Sequence, residues 1–364
     1  MEMGISLPMD NFQYMNVKII SVAKQLPKYS STTAEILPLL DIWLKGQEYR
    51  FIKKVKKLFE GSAVDRRYAI MDPNEVFTAT SFEEKNNIYM REAIVLGEEA
   101  LRKALEKVGW TPQSLDYIIT VSCTGIMIPS LDAYLINKMK LRQDIVRLPV
   151  TEMGCVAGVS GIIYAKNFLQ ANPGKRAAVI AVEAPTATFQ LSDFSMSNIV
   201  SAAIFGDGAA CCLLSSHEAD RGPVILDQQM YHFYDTEDIM GFKLTNGGMQ
   251  MILDVEVPNV IASHFNAVIH PFLQENSLEI EDIKYMIFHP GGKKIVTTME
   301  QIFAEFGKDI TDTKAVLAQY GNMSSATVLY VLERIMAREP QAGELGLMLS
   351  FGPGFSAQRV LLQW

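Results

Sequence analysis

Apolar positions along the chain fall into two kinds of run. Short continuous ones, such as Tyr117-Ile118-Ile119-Thr120-Val121 and Ala178-Val179-Ile180-Ala181-Val182-Glu183-Ala184, lack polar alternation. They predict strands of a central sheet covered on both faces. Longer runs recur at helical spacing. Glu84 to Val108 predicts an amphipathic helix, opened by a capping box of Ser81 and Glu84.

The same order of elements returns farther along at an offset of 168 residues. Residues 117–121 map onto Tyr285-Met286-Ile287-Phe288-His289, and 178–184 onto Gly346-Leu347-Met348-Leu349-Ser350-Phe351-Gly352. Between the paired strands each half carries a helix beginning with small residues, Cys155 to Leu169 and Asn322 to Ala337. An internal duplication of this kind predicts an α/β protein of two similar halves about a pseudo-twofold axis. Helices lie outside, two helix N-termini point inward, and a cleft forms at the junction. The boundary is expected near Glu218 to Pro223, giving halves 1–222 and 223–364.

Composition narrows the function classes. The 364 residues are 49% hydrophobic and 20% charged, which describes a well-packed globular chain and excludes a disordered or fibrous one. A net charge of −8 argues against a nucleic-acid surface, so an anionic ligand must meet a local basic patch. Lys53-Lys54-Val55-Lys56-Lys57 is the dense basic stretch. Cys123, Cys155, Cys211 and Cys212 form no C-x-x-C, so neither a disulfide framework nor a metal site is expected, and Cys211-Cys212 reads as core. Residues Met1 to Asn16 carry no basic stretch before an apolar one, and no apolar run reaches a membrane-spanning length. A cytoplasmic protein without a membrane span is expected. Phosphate-loop, nucleophile-elbow and His-Glu-x-x-His patterns are missing.

Three positions carry the chemistry. Cys155 follows Gly154 at a predicted helix start, where the macrodipole lowers a thiol pKa toward a usable thiolate. The competing reading is a small core hydrophobe. His289 ends a buried strand ahead of Pro290-Gly291-Gly292, either facing the junction or bonded to a carbonyl. Asn322 follows Gly321 and opens a helix, as an N-cap or as an amide donor. The duplication places Cys155 and Asn322 at equivalent helix starts with His289 beside them. A thiolate that holds an acyl group and two N–H donors that bind a thioester enolate make a set for acyl condensation.

Five segments then carry a resemblance: Met153-Gly154-Cys155-Val156-Ala157-Gly158, Phe205-Gly206-Asp207-Gly208-Ala209-Ala210, Phe288-His289-Pro290-Gly291-Gly292, Gly321-Asn322-Met323-Ser324-Ser325-Ala326 and Gly352-Pro353-Gly354-Phe355-Ser356. Over most of its length the chain resembles the type III polyketide synthases, the chalcone and stilbene synthase-like branch of the thiolase-like superfamily. The resemblance implies a thiolase-like fold of two αβαβα-type halves. It implies a homodimer that loads an acyl-CoA starter on Cys155 and condenses it iteratively with malonyl-CoA. His289 and Asn322 then assist decarboxylation, and the product cyclises in the same cavity. Coenzyme A thioesters are the substrates, with no cofactor and no obligatory acyl carrier protein.

By the same resemblance Phe205 is a gatekeeper, and Cys123, Thr124, Thr188 and Ser324 line the cavity. Lys54 and Lys57 hold CoA phosphates, with Gly61 where a third basic residue is expected, and Gly291 and Gly292 lie along the CoA path. Met251 stands for a second gatekeeper, and Phe242 occupies a position often glycine. Lys293-Lys294 departs from the usual pair after the His-Pro-Gly-Gly turn, and Ile128-Pro129 is a candidate cis peptide at the dimer interface. From the residues alone, Phe205-Gly206-Asp207-Gly208 also reads as a turn between buried strands, and the lysines as a solvated helix face. Three alternatives compete. These are a ketosynthase III-like enzyme condensing once onto a carrier protein, a papain-like hydrolase sharing the order Cys, His, Asn, and a non-catalytic acyl-binding protein.

Overall fold

The computed structural model describes residues 16–77 and 81–364. Residues 1–15, on which the reading of a leaderless amino terminus rests, lie outside them. A nine-stranded sheet runs in the order Ile283–Phe288, Leu345–Gly352, Ser356–Gln363, Val224–His232, Lys18–Gln25, Gly208–Ser215, Arg176–Glu183, Tyr117–Val121 and Val146–Val150. Three of the buried runs noted in the sequence are inner strands, and the fourth, Ile283–Phe288, is an edge strand. Residues 117–121 pair parallel with 176–183, as 283–288 do with 345–352. Each longer strand then pairs antiparallel with the next, 208–215 in one half and 356–363 in the other. The two half-sheets join through the pair Lys18 and Val224.

Helix Phe82–Val108 covers one half, its capping box made by the Ser81 hydroxyl and the Glu84 carboxylate. On the other half lie Val257–Glu275 and Lys293–Glu305, whose apolar faces pack on strands 283–288 and 345–352. Between the half-sheets run two central helices, Ala157–Ala171 and Thr327–Met336. Most of their residues are buried, and each reaches solvent through a narrow edge that includes Asn167 in one and Arg334 in the other. Layered this way, the chain has the thiolase-like α/β architecture. Among the described residues no helix is long and apolar enough to cross a membrane.

Cys211 and Cys212 are fully buried in one strand and lie in different core clusters, because successive side chains point to opposite faces. Packing uses both, and they face apart. The Ile128-Pro129 bond is cis, and Ile128 is 89% exposed.

The central elements meet at a glycine. A Cβ on Gly158 would stand 2.2 Å from the Ser325 carbonyl oxygen. Gly158→Ala is therefore expected to lower the unfolding free energy by about 1–3 kcal/mol. Chemical denaturation reads it as an earlier midpoint, and an unshifted midpoint would show that this contact is not limiting.

Candidate active site

Cys155 does not open an α-helix directly. It sits in the middle of a single 3₁₀ turn, Gly154–Val156, that precedes the central helix. Gly154 makes the turn possible. Its φ is +54°, and a Cβ there would lie 2.6 Å from Cδ of Pro353. The second half repeats the device, with a 3₁₀ turn Ser324–Ala326 ahead of helix Thr327–Met336. Asn322 therefore lies before that turn rather than at the first residue of the α-helix.

Asn322 is held from all sides. Its backbone N–H donates to the Ile204 carbonyl at 2.8 Å, and its carbonyl accepts from the Gly206 N–H at 3.0 Å. The side-chain Oδ1 accepts from the Ser324 N–H at 2.8 Å, a local side-chain-to-backbone bond of the Asx-turn kind. Nδ2 donates to the Gly291 carbonyl at 3.0 Å and keeps a second hydrogen for another acceptor. Asn322 is thus not the N-cap of either helical segment, and its amide bridges the turn on one side and the Gly291 loop on the other.

His289 follows strand Ile283–Phe288, tied by its N–H to the Leu349 carbonyl at 3.0 Å. Both ring nitrogens are buried without a partner, so the ring is not bonded to a carbonyl. Burial pushes its pKa down to about 3. The imidazole is neutral and presents one N–H.

The same burial acts in the opposite direction on the thiol. Desolvation, together with the Glu183 carboxylate, pushes Cys155 up to about 12, against smaller lowering by bonds from Ser324 and Asn322. This reverses the lowering expected from a helix N-terminus. A half-buried, neutral thiol is what the resting site holds, with Sγ 3.6 Å from the Ser324 hydroxyl. That hydroxyl is also 3.5 Å from Cys123 Sγ, so both sulfurs share one partner.

Glu183 had no role in the sequence reading. It is fully buried at the end of strand Arg176–Glu183. Its carboxylate accepts from the Cys123 N–H at 3.1 Å, from the Thr124 hydroxyl at 2.8 Å and from the Ser325 hydroxyl. Its visible signal was a single acid closing an otherwise apolar strand.

One cavity of about 540 Å³ gathers Cys155, His289, Asn322, Phe205, Cys123, Thr124, Ser324, Phe242, Met251, Gly291 and Gly292. Phe242 and Met251 face each other across a hairpin, Met240–Thr245 with Gly248–Leu253. Lys54, Lys293 and Lys294 also line it, whereas Lys57 does not. On helix Tyr49–Glu60 the Lys57 side chain is exposed, as a solvated face would be. Thr188 lies in a smaller neighbouring cavity. Phe205 ends helix Met196–Ile204, so its turn joins a helix to a strand and not two strands.

Glu183→Gln removes a negative charge that holds the thiol proton on Cys155. Alkylation of Cys155 by iodoacetamide at fixed neutral pH is expected to accelerate, at a stability loss of about 1–3 kcal/mol from the imperfect replacement of its hydrogen bonds. A rate at or below the parent's would show that burial alone sets the thiol.

The sequence model for chalcone and stilbene synthases, N-terminal domain, matches residues 19–218, and that for the C-terminal domain matches 226–364. The 1,3,6,8-tetrahydroxynaphthalene synthase of Streptomyces peucetius subsp. caesius is 31% identical, across 95% of this chain and 93% of that one. A phloroglucinol synthase of Pseudomonas fluorescens is 28% identical over 85% of this chain and 88% of its own. The crystal structure of 1,3,6,8-tetrahydroxynaphthalene synthase from Streptomyces coelicolor A3(2), a bacterial type III polyketide synthase, superposes with a TM-score of 0.89 at 27% identity, covering 95% and 99% of the two chains. The chain belongs to the chalcone and stilbene synthase family, the type III polyketide synthases.

Proposed function

We propose that Cys155 carries the growing acyl chain and that His289 and Asn322 stabilise the enolate that extends it. The observation that carries this is the convergence of the three on one cavity, with an unpartnered imidazole and an amide whose hydrogen is directed at the thiol. Cys155 sulfur attacks the carbonyl of an acyl-CoA starter; a C–S bond forms, coenzyme A leaves as thiol, and the Cys155 proton goes with it. Malonyl-CoA then loses CO2, and the thioester oxygen that gains charge is met by two fixed N–H donors. The enolate carbon attacks the Cys155 thioester, forming a C–C bond and releasing Cys155. Transfer of the extended chain back to Cys155 permits another round, and the finished chain cyclises in the cavity. The starter and malonyl-CoA need no carrier protein in this scheme, and no cofactor takes part.

The N-terminal half, 1–222, supplies the nucleophile, and the C-terminal half, 223–364, supplies both donors. The coenzyme A phosphates meet Lys54 together with Lys293 and Lys294, which border the same cavity and stand in for the missing cation at Gly61. A homodimer belongs to this reading, with Ile128, 89% exposed, at its interface. A cytoplasmic location fits coenzyme A thioesters as substrates and the free cysteines.

Cys155→Ala is expected to abolish starter loading while malonyl-CoA decarboxylation persists. His289→Ala and Asn322→Ala are each expected to slow decarboxylation by ~10²–10³-fold. CO2 release and mass spectrometry of the trapped acyl-enzyme check both, and condensed product at the parent's level from Cys155→Ala would overturn the assignment. Because His289 titrates near 3 rather than 6.5, decarboxylation should stay level as pH falls through the ordinary imidazole range.

Lys293→Glu with Lys294→Glu is expected to raise KM for malonyl-CoA with kcat little changed, more so at low salt, where Coulomb attraction is least screened. An unaltered KM would remove these lysines from the binding path.

A further inference from the structure

Behind Phe205 and Met251 lies a second cavity of about 70 Å³. Phe205, Met251 and Pro185 line both cavities, so the two adjoin across these side chains. The smaller is walled by Ile36, Phe59, Val76, Phe77 and Phe189, and Arg67 is the charged side chain among its lining.

Arg67 is 7% exposed. Nη1 donates to the Ala202 carbonyl at 2.8 Å and Nη2 to the Thr33 hydroxyl at 3.1 Å. Nε is buried with no partner. The Phe59 ring centre lies 5.4 Å from the guanidinium carbon. Desolvation holds its pKa down to about 10, with no carboxylate opposing the shift. Arg359 is the instructive contrast. It too is buried, bonded to a carbonyl and an amide oxygen, with Nε unpartnered and its pKa lowered by burial to about 10; it differs in lying in the field of Glu275 and Asp227 and in bordering neither cavity.

A buried cation without a counter-ion is strongly unfavourable unless an anion completes it. Neutral partners take only part of the guanidinium's fork of donors, whose remaining edge suits a planar carboxylate. The apolar walls suit methylenes.

We infer that Arg67 is a specificity residue and that this cavity takes the far end of an ω-carboxyacyl starter, whose terminal carboxylate accepts hydrogen bonds from the guanidinium. The inference rests on the reading of Cys155 as acyl carrier. In that reading the starter is a coenzyme A thioester of a dicarboxylic acid, with its second carboxylate replacing water at Arg67 and its methylenes passing Phe205 and Met251.

The test compares glutaryl- and adipyl-CoA with pentanoyl- and hexanoyl-CoA, matched in carbon number, in condensation with malonyl-CoA. The unaltered enzyme should favour the carboxylated starters in kcat/KM by about tenfold or more. Arg67→Met should collapse that ratio, and Arg67→Lys should keep part of it. A purely structural role for Arg67 would lower all four starters together and leave the ratio unchanged. Equal use of both sets by the unaltered enzyme, or preference for the methyl-ended set, overturns the inference whether or not the variants fold. Condensation with none of the four, and no CO2 released from malonyl-CoA, would instead overturn the reading of Cys155, His289 and Asn322.

Discussion

A buried carboxylate ties the two halves together beneath the nucleophile. Glu183 ends a strand of the first half and accepts from Cys123 and Thr124 of that half and from Ser325 of the second. In a fully buried position each of these bonds replaces a water that cannot enter, so the group is stable only while all three donors are in place. That requirement fixes the loop after strand Tyr117–Val121 against the 3₁₀ turn Ser324–Ala326. The position of Cys155 relative to Ser324 follows from it.

The cavity then sets the protonation of what lines it. Desolvation disfavours any charged form, so it raises the Cys155 thiol and lowers the His289 imidazole together. The result suits the chemistry. A neutral imidazole is a donor for an enolate oxygen, and no base is needed to make that enolate, because loss of CO2 leaves the electron pair behind. The thiol proton, held in place by burial and Glu183, has a destination only when a leaving thiolate arrives. In the proposed reaction the nucleophile and the donors come from different halves.

The internal duplication explains why they can meet at all. Two copies of one strand–turn–helix pattern, turned about an axis between the central helices, bring both 3₁₀ turns to the same place. Gly158 allows the approach, since any side chain there would strike the Ser325 carbonyl. Around this fixed centre the cavity walls come from elements outside the repeat. The hairpin bearing Phe242 and Met251 and helix Met196–Ile204 are examples. Their side chains set the space for the acyl chain while the centre stays constant.

Much of this was legible in the chain itself. The 168-residue offset, the apolar strands 117–121 and 178–184, the Ser81-to-Glu84 cap and the glycine-flanked Cys155, His289 and Asn322 are local patterns, and local patterns are written in sequence. Folding turned Cys155 from a supposed low-pKa thiolate into a half-buried, neutral thiol, because desolvation depends on everything packed around a group and not on its neighbours along the chain. The same holds for Lys57, which one helical turn carries away from the cavity that Lys54 borders, and for Thr188, set in the smaller cavity. Glu183, a single acid closing an apolar run, and Arg67, one of three successive charges, gave almost no sign, since each acquires meaning only from partners more than thirty residues away. Sequence alone determined the repeat, the strands and the candidate residues; tertiary structure decided their protonation and their partners, because dielectric and hydrogen bonding are properties of the space a residue occupies.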